Sequence, residues 1–261
     1  MTPSTTAFAD EALTLATETT VSQDGAVHIS LTVTNSSGSP VYHVHPMFHF
    51  HHAMVMGGMI HKLDPGESVL IENDEHPPVL RAGNYPLVVM AQYKAGMNDS
   101  ASLVQTHTSS FYYQESLISQ VLGAIEYVRE SGEGKLRIFL NNQSGSLKNV
   151  RLMLLLPPGL VAQEFQEMKG FTLRGGERVS FETPILETQA ASLMNGNYPV
   201  YLLVEYAEML KHYSQEIQGE VYFPPIFNFK QHWPHLLAIV LLGSALGLYY
   251  NFRRKFRLTE I

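Results

Sequence analysis

The feature that most constrains this chain is an internal repeat. Ala26–Ser39, AVHISLTVTNSSGS, is matched by Gly134–Ser146, GKLRIFLNNQSGS, and the triplet Ser37-Gly38-Ser39 recurs as Ser144-Gly145-Ser146. Further along, Pro46 is matched by Pro157, Leu63–Val69 (LDPGESV) by Leu173–Val179 (LRGGERV), and Gly83–Val89 (GNYPLVV) by Gly196–Leu202 (GNYPVYL). A tyrosine follows each of the last two stretches, Tyr93 and Tyr206. The offsets are 107, 111, 110 and 113 residues. Collinear matches at a nearly constant spacing mean two copies of one domain in series.

Each copy reads as β. Val27, Ile29, Leu31 and Val33 alternate with polar residues, as do Leu136, Ile138 and Leu140, the period of a half-buried strand. Asn35-Ser-Ser-Gly38 and Asn142-Gln-Ser-Gly145 are turn chemistry, and Pro65-Gly66 and Gly175-Gly176 mark further turns. The sequons at Asn35, Asn98 and Asn142 are read as turn chemistry too. No amphipathic helix is expected before residue 234. About 100 residues per copy, with six or seven short strands and regular turns, fit a β-sandwich of immunoglobulin-like type. The expected fold class is all-β: two tandem Ig-like sandwiches, residues 10–113 and 118–224, then one C-terminal transmembrane helix.

The order of strand, N-x-SG turn, L-x-[PG]-G-E, then G-N-Y-P and a long strand resembles the bacterial Ig-like modules of CARDB type and NEW3 type. The resemblance covers both copies. It implies an adhesive, spacer or interaction module and carries over no catalytic residue.

The C-terminal helix is expected over residues 234–252, around the uncharged run LLAIVLLGSALGLYY from Leu236 to Tyr250. Nineteen residues at about 1.5 Å each span a hydrocarbon core of roughly 30 Å. Trp233, Tyr249 and Tyr250 stand where interfacial aromatics stand. Arg253, Arg254, Lys255 and Arg257 follow the span and only Lys230 lies close before it, so residues 253–261 are expected in the cytoplasm and the sandwiches outside. Gly243 and Gly247 form a GxxxG pair suited to close helix contact, hence a candidate homodimer. Residues 225–233, opened by Pro224-Pro225, are the expected linker. Ala7-Phe8-Ala9 before Asp10 and Glu11 resembles a signal-peptidase site, so residues 1–9 are read as an export remnant or a disordered start. The expected location is a bacterial cytoplasmic membrane, with the bilayer and other envelope or membrane proteins as partners.

Charge sharpens this. The chain carries 17 basic and 24 acidic residues. Residues 1–113 hold 3 cations against 10 acids, so the acidity belongs to the first copy. Nucleic acid is excluded as the main partner, since phosphate neutralisation needs a cationic face. There is no cysteine, which excludes disulfides, a thiol nucleophile and thiolate metal sites.

Half of the 12 histidines fall in Tyr42–His61, YHVHPMFHFHHAMVMGGMIH. Extended, the strand would put His43, His45, His49 and His51 on one face, with Tyr42, Val44, Phe48 and Phe50 packing inward. With His52, His61, Met54, Met56 and Met59, this is an imidazole and thioether set suited to copper, above all Cu(I). Copper is the candidate cofactor. The matching stretch of the second copy, Pro157–Leu173, holds no histidine. The plainer alternative is that the run lines an interface with the second domain or a partner. Proton sensing by clustered imidazoles is a third reading. Glu72-Asn73-Asp74-Glu75-His76 is read as a solvated loop. No nucleophile or phosphate-loop motif occurs, and an enzyme is not expected.

Overall fold

The computed structural model describes residues 12–50, 53–100, 102–130, 133–157, 159–165, 168–188 and 196–223, together with Ser244. The described chain is all-β with sandwich-like sheets. Its strands are β1 (Leu13–Val21), β2 (Val27–Asn35), β3 (Val41–Phe50), β4 (Ala53–Met56), β5 (Ile60–Leu63), β6 (Ser68–Asn73), β7 (Gly83–Lys94) and β8 (Leu103–Tyr113), then β9 (Val121–Glu130), β10 (Glu133–Asn142), β11 (Lys148–Leu155), β12 (Leu160–Val161), β13 (Lys169–Leu173), β14 (Arg178–Glu187), β15 (Gly196–Glu208) and β16 (Lys211–Phe223). The one helical element among residues 12–223 as described is a short 3₁₀ turn, Gln163–Phe165.

The two halves repeat one wiring. In the first, β1-β2-β6 form one sheet, and β3 pairs β5 and β7 while β7 pairs β8. In the second, β9-β10-β14 form one sheet, and β11 pairs β13 and β15 while β15 pairs β16. Alternation sets the inward rows. Val27, Ile29, Leu31 and Val33 lie in one core, and Leu136, Ile138 and Leu140 lie in the other.

Each inward row ends on a fully buried asparagine, Asn35 or Asn142. The Asn35 amide donates to the carbonyls of Ser39 and Leu63, both at 2.9 Å, and its oxygen accepts from Ser37 N–H at 3.0 Å and Ser37 Oγ at 2.7 Å. Asn142 donates to Ser146 at 2.8 Å and Arg174 at 2.9 Å, and accepts from Ser144 N–H at 3.1 Å and Ser144 Oγ at 2.7 Å. A buried amide is tolerated because it satisfies the open carbonyls of two turns. These two sequons are therefore structural latches, the turn chemistry that their spacing predicts.

The copies differ where their sequences differ most. In the first, β4 runs back along β3, with Met47 opposite Met56 and His49 opposite Met54. In the second, the corresponding segment crosses to the other sheet, and β12 pairs with Leu186 and Glu187 of β14. Pro157 follows the end of β11, and proline has no N–H to extend a ladder. Pro46 instead sits buried within β3 opposite Ala91. His45 pairs Gln92 as Arg151 pairs Glu205, which sets Pro46 against Leu152 rather than Pro157.

The halves meet along one seam. β7 runs past the end of β3, and there Gly83 pairs in parallel with His212 at the start of β16, joining the two sheets into a nine-stranded one. A Cβ on Gly83 would lie 1.8 Å from the His212 carbonyl oxygen, so only glycine fits, and its φ of 142° suits it. At Gly196, its counterpart, a Cβ would meet nothing within 4 Å among the described residues. Behind the seam Val88, Leu155 and Leu203 form a third buried cluster, with Met90, Met153 and Tyr201 against it. Lys211 pairs with Glu115 at 2.5 Å, and Leu117 N–H donates to Asn84 at 2.9 Å.

No helix among the described residues is long and apolar enough to cross a membrane. The expected span 234–252, with Gly243 and Gly247, lies outside them apart from Ser244. The expected linker, cytoplasmic tail and residues 1–9 also lie outside.

Candidate functional site

The histidine and methionine run folds as β3, β4 and β5; His45 and His49 share its outer face as expected, and His43 does not join them. Tyr42 pairs Lys94 but His45 pairs Gln92, so His43 and Val44 together face Tyr93 in a β-bulge. His43 takes the left-handed conformation, φ 51°, and is exposed. The bulge inverts the phase. Before it Val41 points inward and Tyr42 does not; after it Val44, Pro46, Phe48 and Phe50 are buried while His45, Met47 and His49 are half-buried on the outer face. The expected set of four therefore divides. His43 meets His61 edge to face, ring centroids 6.4 Å apart. Six residues on, at about 3.3 Å each, His49 lies roughly 20 Å along the strand, too far to share an ion with His43. His51 and His52 lie outside the described residues.

Around His49 the cross-strand register builds a compact group. Met54 lies opposite His49, and Met56 opposite Met47, with Met90 on the other side of Met47. Directly paired residues hold Cβ atoms about 5 Å apart, so one imidazole and three thioethers, Met47, Met54 and Met56, adjoin. Met54 and Met56 are 55% and 56% exposed, on an outermost strand of the nine-stranded sheet, and Met59 after it is 49% exposed. Among the described residues no three His, Cys, Asp or Glu side chains converge as a metal site.

His76 departs from the solvated-loop expectation. It is 6% exposed, its ring edge-on to Phe50 at 5.4 Å between centroids, and among the described residues neither ring nitrogen has a hydrogen-bond partner. Burial, reinforced by the charge of His49, lowers its pKa, so it is held neutral. At the other end of the stretch, Asn73 closes β6 and is buried.

A second site lies at the seam, where the sequence pattern offered little warning. A pocket of about 560 Å³ is bounded by Arg81 and Tyr85 from the first half and by Asn149, Arg151, Glu205 and His212 from the second. Tyr85 and His212 stack with centroids 4.2 Å apart and planes 4° from parallel. Tyr85 donates to the Arg81 carbonyl at 2.7 Å. Glu205 stands opposite Arg151 on neighbouring strands and is 5% exposed. Burial pushes its carboxyl up to about 7, against the opposing pull of Arg151. Its Oε2 has no hydrogen-bond partner among the described residues. The one legible signal was a glutamate within the apolar run VYLLVEY, where the first copy has Gln92.

No family model matches the chain. No curated protein matches it either. Among solved structures it is similar to the E. coli alpha-2-macroglobulin in its native conformation, at 12% identity and TM-score 0.30, covering 82% of this chain and 17% of that one. It is similar to a GH2 beta-galacturonidase from Eisenbergiella tayi at 11% identity and TM-score 0.28, covering 75% of this chain and 36% of that one. The CsuC-CsuE chaperone and tip adhesion subunit complex of Acinetobacter baumannii matches at 10% identity and TM-score 0.25, covering 73% of this chain and 90% of that one. The chain thus spans only a small part of the macroglobulin, and likenesses at these TM-scores carry no argument about fold or activity.

Proposed function

We propose that the chain is a binding and scaffold protein of a bacterial envelope, an accessory subunit that presents two Ig-like modules outside the cytoplasmic membrane from a C-terminal anchor. The observation that carries this reading is the exposed thioether edge of the first half. Met54, Met56 and Met59 lie half uncovered on and just after an outermost strand. Solvent-facing methionines on an edge that no described strand covers favour a partner there, because thioethers adapt to irregular apolar surfaces. The acid-rich first copy favours a basic partner surface beside that edge. Affinity purification of the full chain in mild detergent tests this. A stoichiometric membrane-protein partner is expected with the wild type and lost with Met54→Glu plus Met56→Glu. Retention by the double variant, or no stoichiometric partner, refutes it. Protease accessibility in spheroplasts tests the topology independently; a protected first half would place the modules inside.

A second reading, copper handling, is favoured by the adjacency of His49, Met47, Met54 and Met56. One imidazole with three thioethers matches a soft monovalent ion. Calorimetry with Cu(I) and Cu(II) is expected to show preference for Cu(I). Unchanged affinity after His49, Met54 and Met56 are all replaced by alanine removes this reading.

A further inference from the structure

We propose that the seam pocket between the two halves binds a small zwitterion of the amino-acid class, its ammonium on Glu205 and its carboxylate on Arg81 and Arg151. Three features of the pocket converge on this chemistry. The first is Glu205 itself. It is 95% buried and lines the pocket, and its Oε2, closed to solvent, lacks a donor among the described residues, so the side chain turns slightly to meet a ligand. A buried carboxylate oxygen without a donor is costly, and an ammonium brings three. The second is the pair of guanidinium groups on the same lining, from opposite halves. Among the described residues Arg81 forms no ion pair, and a guanidinium is the side chain whose forked donors match a carboxylate. The third is the stacked Tyr85 and His212, which give one side of the pocket a flat aromatic edge for an aliphatic or aromatic substituent.

The first copy supplies an internal contrast. Its counterpart of Glu205 is Gln92, which is exposed. The carboxylate is therefore particular to the second copy, where this position lines the pocket. A simple scaffold contact would be better served by an apolar residue there, as Leu203 serves two positions earlier.

The charged and titratable groups that face Glu205 are Arg151 across the strand, Arg81 and Tyr85 from the first half, and His212 from β16. Near neutral pH the carboxyl is close to half-protonated before a ligand arrives. An arriving ammonium favours the ionised form, so binding below pH 7 releases a proton to the buffer.

The full chain in detergent, titrated calorimetrically with free L- and D-amino acids, tests the proposal. Matched amines without a carboxylate, and matched acids without an amine, serve as controls. At least one amino acid is expected to bind, with both controls weaker by about tenfold or more. Repeating the titration in buffers of different ionisation heat is expected to reveal proton release, absent in Glu205→Gln. Arg81→Ala, an exposed position, is expected to weaken binding without changing the folded signal. If no amino acid binds, if amines alone bind as well, or if Glu205→Gln binds equally with the same proton count, the proposal is overturned. These outcomes do not depend on the anchor or on a protein partner.

Discussion

Replacing Glu205 by glutamine is expected to make the protein more stable at alkaline pH and to flatten its stability profile. In the folded state burial raises the Glu205 carboxyl from the ordinary 4.5 to about 7. The folded chain therefore holds the proton more tightly than the unfolded chain. Stability from this group is complete below about pH 4.5, falls as pH rises, and is lost above about pH 7. At about 1.4 kcal/mol per tenfold, the gap between the two values amounts to roughly 3 kcal/mol. Glutamine keeps the shape and cannot ionise, so the loss should disappear. Other groups titrate with the opposite sign: Glu182, held low by Arg137, and Glu208, held low by Lys148 and Ser146, contribute stability that fades in acid. The informative quantity is therefore the difference between variant and wild type, which cancels them. Urea denaturation followed by circular dichroism, at about pH 4 and about pH 8, supplies it. The variant should gain on the wild type by up to roughly 3 kcal/mol between these two conditions. A difference that stays constant with pH would refute the reasoning, since it would mean that Glu205 ionises with its ordinary affinity and is not sealed in the seam.

The two asparagine latches should be energetically similar: Asn35→Ala and Asn142→Ala each remove a buried amide bonded through both its nitrogen and its oxygen, and each should cost roughly 2–4 kcal/mol in chemical denaturation. The paired glycines should not be equivalent. Gly83→Ala collides with the His212 backbone and should cost on the order of 3 kcal/mol or more, while Gly196→Ala, strained only by its φ of 88°, should cost about 1 kcal/mol by the same measurement. His76→Leu removes two buried nitrogens that lack partners and should leave the thermal midpoint unchanged or raise it; a fall of several degrees would show that the imidazole makes a contact that the fold needs.

Much of the architecture was legible because duplication writes each instruction twice. The alternating rows of β2 and β10, the Asn-turn latches and the Gly-Asn-Tyr-Pro strand starts all depend on local chemistry, and local chemistry is what periodicity reports. The bulge in β3 was not legible. The inward row Val44, Phe48 and Phe50 follows from the alternation, but one extra residue, at His43 and Val44, turns Tyr42 away from the core and sets His43 apart, and nothing in an alternating run announces it. The apparent match of Pro46 with Pro157 misled because a shared proline is one residue, while the pairing register sets Pro46 against Leu152. Nor did similar loop length reveal that β4 and β12 join different sheets, because that choice depends on where the preceding strand stops. The seam pocket was least visible of all. Its residues come from five separated stretches of chain, and Glu205 looks like an isolated charge in an apolar strand until the other half covers it.

The pairing of Gly83 with His212 also sets an order of events during synthesis. The first half holds its own core strands by Tyr113, so it can close while the second half is still being made. The seam cannot. It waits for His212, about a hundred residues later, at the start of β16. Until Leu155 and Leu203 are made and docked, Val88 and Met90 lack the residues that cover them. A chain stalled between the two copies would therefore display an adhesive apolar face that the finished protein conceals, and the cell would meet that face each time the protein is translated.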